Sequence, residues 1–377
     1  MHFTHRDHLG GGGVVIQQLL NGLGDEFSQS LAIGGAGPLS DWCRKNGIPV
    51  ARVLTDRLWM CPIGLVQLIA SIRKIRPKVV MLHGQWGGPL GAIAARCAGV
   101  RNSIYVAHCP AFYHSTTLWR SIRNYIAEVI PCKLARTIVT LSEGNRYNYL
   151  FRGWAGEDKL ALIHNGVGGS KAEDGSLRPE SKKLRSIQAR ISEQGAEVNF
   201  VCVARLDEQK RVDWLIEAWA QFRRTTKVVA HLWIIGDGPE RVRLQQKAKT
   251  EILDGSINWV GADPGGREWI ASADVVVLSS AYEGHALVPL EAMAAGKSVV
   301  AFRVDGIEDS IIHEETGLLS QLGDAQGLAA QMKNLINGDM RKRLGEAGRI
   351  RVQQYFTEER MLQGYRKVVF EMLRPES

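Results

Sequence analysis

The chain has 377 residues, of which 45% are hydrophobic and 23% charged, with 47 Lys and Arg against 39 Asp and Glu for a net charge of +8. That length holds two or three domains of ~100–200 residues, and the composition excludes a disordered chain, a fibre and a small disulfide scaffold. Residues 1–168 carry 18 Lys/Arg and 9 Asp/Glu, a charge of +9, whereas the remainder carries 29 and 30, a charge of −1.

Short apolar runs alternate with amphipathic stretches from end to end. A short first strand, His2–His5, is followed by four glycines and a helix over Val14–Leu23. Further strands are expected at Val50–Leu54, Val79–Leu82, Ser103–Ala107, Thr137–Leu141 and Ala161–Ile163. After a polar stretch from Gly168 to Val198 they resume at Asn199–Ala204, Ala230–Ile235, Ile257–Val260, Val275–Leu278 and Ser298–Phe302. Helical patterns lie between them, among them Val212–Phe222 and Glu240–Thr250. Near-continuous Val/Ile/Leu strands alternating with helices specify an α/β fold of parallel sheets covered on both faces. The expected organisation is two doubly wound, Rossmann-like domains facing a cleft. They are residues 1–168 and 198–356, joined by a linker over 169–197. The six cysteines (43, 61, 97, 109, 132 and 202) include no CxxC pair and no zinc-ligand spacing, so free thiols in a reducing compartment are expected. No signal peptide or span of ~20 apolar residues is visible, so any membrane contact is expected to be peripheral.

Three segments carry chemistry. Gly11, Gly12 and Gly13 stand where backbone amides at a helix start can face a phosphate, although the spacing is not that of a dinucleotide fingerprint and a plain tight turn is the alternative. Arg205 closes a buried strand and Lys210 precedes the next helix, a placement that suits a diphosphate or, for isolated residues, two solvated charges. The third runs Ala273 to Gly296. A strand ends at Leu278, a loop presents Glu283, Gly284, His285, Ala286 and Leu287, and Glu291 lies about two turns into an otherwise apolar helix. Two carboxylates there can accept hydrogen bonds from vicinal hydroxyls.

On these residues the chain resembles glycosyltransferase family four, the retaining nucleotide-sugar transferases of GT-B fold (glycosyl transferases group 1). Glu283 and Glu291 match the family's paired glutamates, Arg205 and Lys210 its phosphate-binding cations, and Gly10–Gly13 its glycine loop. Asn165-Gly166-Val167, Val106-Ala107-His108, Ile235–Pro239 and Glu315–Leu319 are similar to further family segments. The resemblance implies that Glu283 contacts donor-sugar hydroxyls, that the His285–Leu287 amides touch sugar and phosphate, and that Glu291 holds the ribose. Arg205 and Lys210 would stabilise the leaving diphosphate, and His108 would approach the sugar or be a histidine merely satisfied at a strand end. It implies no metal or other cofactor, and a C-terminal helix (about 357–377) packed on the first domain. The departures are Gly168 for the usual Asp, Arg211 for Gly, His285 for an aromatic residue and Ser298 for Pro. His285 would alter sugar selectivity or simply fill the loop.

The expected partners are a nucleotide-sugar donor, UDP-sugar before GDP-sugar, and a glycan or lipid-linked acceptor of cell-envelope assembly. The expected place is the cytoplasm, peripheral on an anionic inner membrane face. Leu118–Arg136 reads as a helix with Leu118, Ile122, Tyr125, Ile126 and Val129 on one side and Arg120, Arg123, Lys133 and Arg136 near its ends. Such a helix lies on anionic lipid or packs its apolar face on the core. Arg73, Lys74, Arg76 and Lys78 follow the helix Gly64–Ile72, and Trp59 and Trp119 lie near these clusters. A sugar-nucleotide epimerase of the same architecture is the competing enzyme. A nucleic-acid-binding protein is disfavoured, because the charge is confined to one half and no recognition motif is present.

Overall fold

The computed structural model describes residues 1–7, 10–55, 61–110, 118–168, 182–251, 253 and 255–374. The chain forms two compact units, Met1–Asn165 with Glu358–Ser377, and Gly166–Thr357. Trp59 and residues 169–181 of the expected linker lie outside the described residues. The rest of that segment contributes the helix Lys182–Ser192, whose Ile187 and Ile191 join Trp233 and Trp269 in the core of the second unit.

The first unit is a seven-stranded parallel sheet. Its strands are β1 (His2–Thr4), β2 (Leu31–Gly34), β3 (Val50–Val53), β4 (Val80–His83), β5 (Ser103–Ala107), β6 (Thr137–Thr140) and β7 (Leu160–Leu162), in the order β3-β2-β1-β4-β5-β6-β7. The order reverses between β1 and β4, and such a switch point opens a ligand crevice beyond the C-terminal strand ends. The second unit carries β8 (Val198–Val203), β9 (Ala230–Ile235), β10 (Ile257–Gly261), β11 (Val275–Leu278), β12 (Ser298–Phe302) and β13 (Leu318–Ser320). Their order is β10-β9-β8-β11-β12-β13, again with a central reversal, between β8 and β11. Alternate residues of β8 feed two cores: Phe200 and Cys202 pack with Trp219 and Phe222 on one face, and Val201 packs with Trp233 and Trp269 on the other.

The helix Glu358–Leu373 belongs to the first unit. Leu362 fills the space beside Gly22, where a Cβ would lie 2.3 Å from its methyl, and Arg366 bonds Glu26 at 2.5 Å and the Gly22 carbonyl at 3.0 Å.

The helix Leu118–Leu134 does not pack its apolar face on the core, the second of the two expectations. Leu118, Trp119, Ile122, Tyr125 and Ile126 are exposed, Trp119 by 81%, while Asn124, Ala127 and Glu128 face the interior. The side chain of Arg120 lies outside the described residues. The hydroxyls of Tyr105 and Tyr149 both donate to Glu128 Oε2 at 2.9 Å, and Gln85 donates to Asn124 Oδ1 at 3.0 Å. The two tyrosine bonds offset the cost of burying the Glu128 carboxylate, so polar side chains can hold the helix to the sheet.

Arg211 occupies the left-handed region, at φ 43°, where the resembled family has glycine. A residue with a Cβ is strained there by about 1–2 kcal/mol. Its guanidinium bonds both Asp213 oxygens at 2.9 and 2.8 Å and stacks 3.6 Å from the Trp214 ring. Burial alone would raise the Asp213 carboxyl, but the Arg211 bonds and charge bring it below its ordinary value. The side chain thus offsets the strain of its own backbone. In chemical denaturation, Arg211→Ala should lose about 1–2 kcal/mol, and Arg211→Gly about 1 kcal/mol less than that. An alanine variant as stable as the glycine variant would contradict this account.

Candidate active site

In the second unit the site grows from the C-terminal ends of β8 and β11. Beyond β8 the backbone of Ala204–Leu206 is covered by the turn Gly236-Asp237-Gly238. A Cβ at Gly236, φ 140°, would lie 1.8 Å from the Ala204 carbonyl oxygen, and one at Gly238 would lie 2.3 Å from that of Leu206. Only glycine permits this backbone-on-backbone contact. Leu206 N–H donates to the Asp237 carbonyl at 3.0 Å and Glu240 N–H to that of Leu206 at 3.0 Å, which fixes the segment carrying Arg205. The Arg205 side chain is 57% exposed and bonds Asp207 at 2.7 Å.

Asp207 turns the chain, accepting from the Lys210 N–H through both its carbonyl and its Oδ1 at 3.2 Å. The turn brings Lys210 Nζ to 2.5 Å from Glu283 Oε1, with side-chain exposures of 21% and 8%. Three more bonds tie this turn to the loop after β11. Ala281 N–H donates to the Gln209 carbonyl at 2.8 Å, Gln209 Nε2 donates to the Tyr282 carbonyl at 3.0 Å, and Ser279 Oγ donates to the Lys210 carbonyl at 2.8 Å. Residues 73 positions apart in sequence thereby become one surface.

Gly284 and His285 follow, with Gly306 against them: a Cβ there would lie 2.3 Å from the Gly284 oxygen. His285 is buried, its Nε2 3.1 Å from Ser310 Oγ and its ring 5.3 Å from that of Phe356. It therefore fills the loop from within. Ala286 is the N-terminal residue flanking the helix Leu287–Ala294, in extended conformation, so the first-turn amides lie beside Glu283 in sequence. Glu291, on that helix, is held by Arg267 Nε at 2.8 Å, and Arg267 also donates to the Gly168 carbonyl at 3.4 Å.

The first unit brings the glycine run and His108 together. The helix runs Gly11–Gly22, three residues earlier than its apolar pattern implies, so Gly11, Gly12 and Gly13 form its first turn with unpaired-in-helix amides rather than a separate loop. A Cβ on Gly12 would lie 3.6 Å from His108 Cγ. His108 follows β5, and its Nε2 is 3.0 Å from His83 Nδ1.

Arg267, Gln209 and Asp207 were not singled out by sequence. Arg267 lies 24 residues from Glu291 on a different helix, so no local spacing reveals it. Asp207 and Gln209 were visible, as flanks of a strand–turn–helix junction that needs a turn-maker. Among the described residues no group of three or more His, Cys, Asp or Glu is placed to hold a metal ion.

Residues 197–338 match the family model described as Glycosyl transferases group 1. The N-acetyl-alpha-D-glucosaminyl L-malate synthase of Bacillus anthracis is 31% identical over 178 residues, 47% of this chain and 46% of that protein. The lipopolysaccharide core biosynthesis glycosyltransferase LpsE of Rhizobium meliloti is 32% identical over 164 residues, 43% of this chain and 47% of that one. The chain thus spans about half the length of these curated relatives. Over 98% of both chains it superposes on Anabaena HepE, solved in complex with UDP and glucose, with a TM-score of 0.82 and 17% identity. The sucrose-phosphate synthase of Thermosynechococcus elongatus gives 0.80 and 20% identity over 98% of each. Residues 197–338 are thus similar to the Glycosyl transferases group 1 family, and the fold of the chain is GT-B.

Proposed function

We propose that the protein is a retaining glycosyltransferase of family four. It moves a hexose from a nucleotide diphosphate donor to a hydroxyl of a glycan or lipid-linked acceptor in cell-envelope assembly. The observation that carries the reading is the contact of Lys210 with Glu283 beside Arg205. It sets a fixed cation next to a hydroxyl-accepting carboxylate, the pairing that a sugar joined to a phosphate calls for. UDP-sugars are favoured because HepE is a structural neighbour solved with UDP-glucose. The envelope role is favoured because LpsE is named for lipopolysaccharide core biosynthesis.

In this proposal Glu283 accepts hydrogen bonds from donor-sugar hydroxyls, the amides of His285–Leu287 meet sugar and phosphate, and Glu291 accepts from the ribose. Arg205 and Lys210 face the diphosphate, where fixed charges lower the barrier to its departure. The acceptor oxygen bonds to the anomeric carbon on the face the leaving group vacates, the bond from that carbon to phosphate oxygen breaks, and the acceptor proton passes to the departing phosphate. No enzyme nucleophile is required, and no metal is assigned a step.

The first unit is proposed to rest on an anionic bilayer through the exposed apolar residues of the helix Leu118–Leu134. The +9 charge of residues 1–168 favours that partner over a neutral one. No helix among the described residues is long and apolar enough to cross a membrane.

A thermal-shift series with UDP, GDP and their sugars should give the largest upward shift with a UDP ligand. Saturation at ~100 times Kd adds ~2.7 kcal/mol of apparent stability; no shift with any nucleotide would sink the transferase reading. Lys210→Ala and Glu283→Ala should each lower transfer about 100-fold or more with the circular dichroism unchanged. Near-wild-type turnover in either would remove that residue from the site. In liposome flotation at low salt, vesicles of phosphatidylglycerol should carry the protein and those of phosphatidylcholine should not. Trp119→Ser with Ile122→Ser should weaken binding about tenfold or more. Equal recovery with both lipids, or binding untouched by the double substitution, would end the membrane assignment.

A further inference from the structure

Residues 57–127 hold nine Lys or Arg and no Asp or Glu, which equals the whole +9 of residues 1–168. Six of the nine are Arg73, Lys74, Arg76, Lys78, Arg96 and Arg101. They stand on or beside two connections, one from the helix Cys61–Ile75 to β4 and one from the helix Gly84–Cys97 to β5. β4 and β5 are paired with Val80 level with Ser103, and the Val80 N–H donates to the Asn102 carbonyl at 3.0 Å. The two connections therefore lie side by side at the N-terminal ends of these strands, the pole of the first sheet opposite its crevice. All six side chains are exposed, and none is in an ion pair with a described residue.

Helix dipoles explain only part of this. Arg73, Lys74 and Arg96 lie in last helical turns, where a cation is favoured. Arg76, Lys78 and Arg101 lie outside both helices and gain nothing comparable. Like charges gathered on adjoining turns repel one another, and a bound anion removes that repulsion.

Between the two connections is a cleft of about 480 Å³, lined by Ile72, Arg73, Arg76, Pro77, Ala98 and Val100. That volume is typical of a small-molecule site and too confined for an extended polyanion. Arg73 donates to the Cys97 carbonyl at 2.9 Å, so its guanidinium is held from the first connection to the second with other donors left over. Arg76 is in the left-handed region, at φ 52°, its N–H donating to the Ile72 carbonyl at 2.8 Å. The neighbouring helix ends with glycine in that conformation, Gly99 at φ 85°. Glycine adopts it without strain, so the arginine is held there against the preference of its own backbone. The cleft gives that side chain a use. Its remaining lining is apolar.

We infer that this cleft is a separate anion site. It takes a phosphate monoester with a small apolar body, the phosphate on Arg73 and Arg76 and the body on Ile72, Pro77, Ala98 and Val100. Two guanidinium forks suit a dianion with three acceptor oxygens better than a single carboxylate. A soluble phosphate ester and the headgroup of a lipid phosphate share this chemistry. The inference concerns the first unit alone and does not rest on the transferase reading.

The test is calorimetric titration of the whole chain at low salt with inorganic phosphate, phenyl phosphate and dihexanoyl phosphatidic acid below its micelle concentration. At least one of the two esters should bind about tenfold more tightly than inorganic phosphate. The tighter of them identifies the source, phenyl phosphate a soluble ester and phosphatidic acid a lipid. Arg73→Gln and Arg76→Gly should each weaken that binding about tenfold or more. Arg76→Gly should also melt no lower than the wild type, since glycine suits the left-handed turn, so its loss of binding is not a loss of fold. Lys210→Ala should leave the binding in place. Esters that bind no better than inorganic phosphate overturn the assignment, as does binding untouched by both pole substitutions. Binding lost in Lys210→Ala but kept in Arg76→Gly puts the phosphate in the second unit and overturns it too. A protein that transfers no sugar but shows the expected titrations keeps this site and loses the transferase reading.

Discussion

The contact of Lys210 with Glu283 is the joint on which the second unit's site depends. It links the turn after β8 to the loop after β11, the two central strands between which the sheet reverses direction. A lysine and a carboxylate this close and this shielded are worth more than a surface pair, and each keeps the other from being an uncompensated buried charge. The backbone bonds around Gln209 and Ser279 make the joint stiff, so the charges are set before any ligand arrives. A receptor prepared in that way spends less of its binding energy on ordering itself.

Glycine does the complementary work. Gly236 and Gly238 let one turn lie directly on the backbone that carries Arg205, and Gly306 lets another lie on Gly284. In each case the limiting distance is between main-chain atoms, so no rearrangement of side chains could admit a larger residue. Where the chain departs from glycine, at Arg211, it replaces conformational freedom with a carboxylate clamp and an indole face. His285 is a similar departure, resolved by burial against Phe356 and a bond to Ser310.

Much of this was legible in the sequence because parallel strands buried on both faces leave continuous apolar runs. Ala230–Ile235, Val275–Leu278 and Ser298–Phe302 fall where those runs fall. β2 was not anticipated: Leu31–Gly34 is four residues of which one is glycine, flanked by further small residues, and offers little pattern. Helix starts were misplaced where glycine opens them, as at Gly11. The face of Leu118–Leu134 could not be read from periodicity at all. An apolar stripe on a helix normally marks the buried side, and here Tyr105 and Tyr149, from other elements, make burial of Glu128 tolerable instead. Arg267 was hidden for the same reason, since its significance lies in a partner brought near only by the fold.

The last helix gives the chain an order of assembly. Residues 358–373 complete the first unit, so the second unit is in effect an insertion within the first along the chain. On a ribosome the second unit has all its strands before the first has its final helix. Until then Gly22 has no Leu362 beside it, and Glu26 has no Arg366. Synthesis that stops short would therefore spare the second unit and leave the amino-terminal sheet, made first, with an uncovered helix flank and an invitation to aggregate.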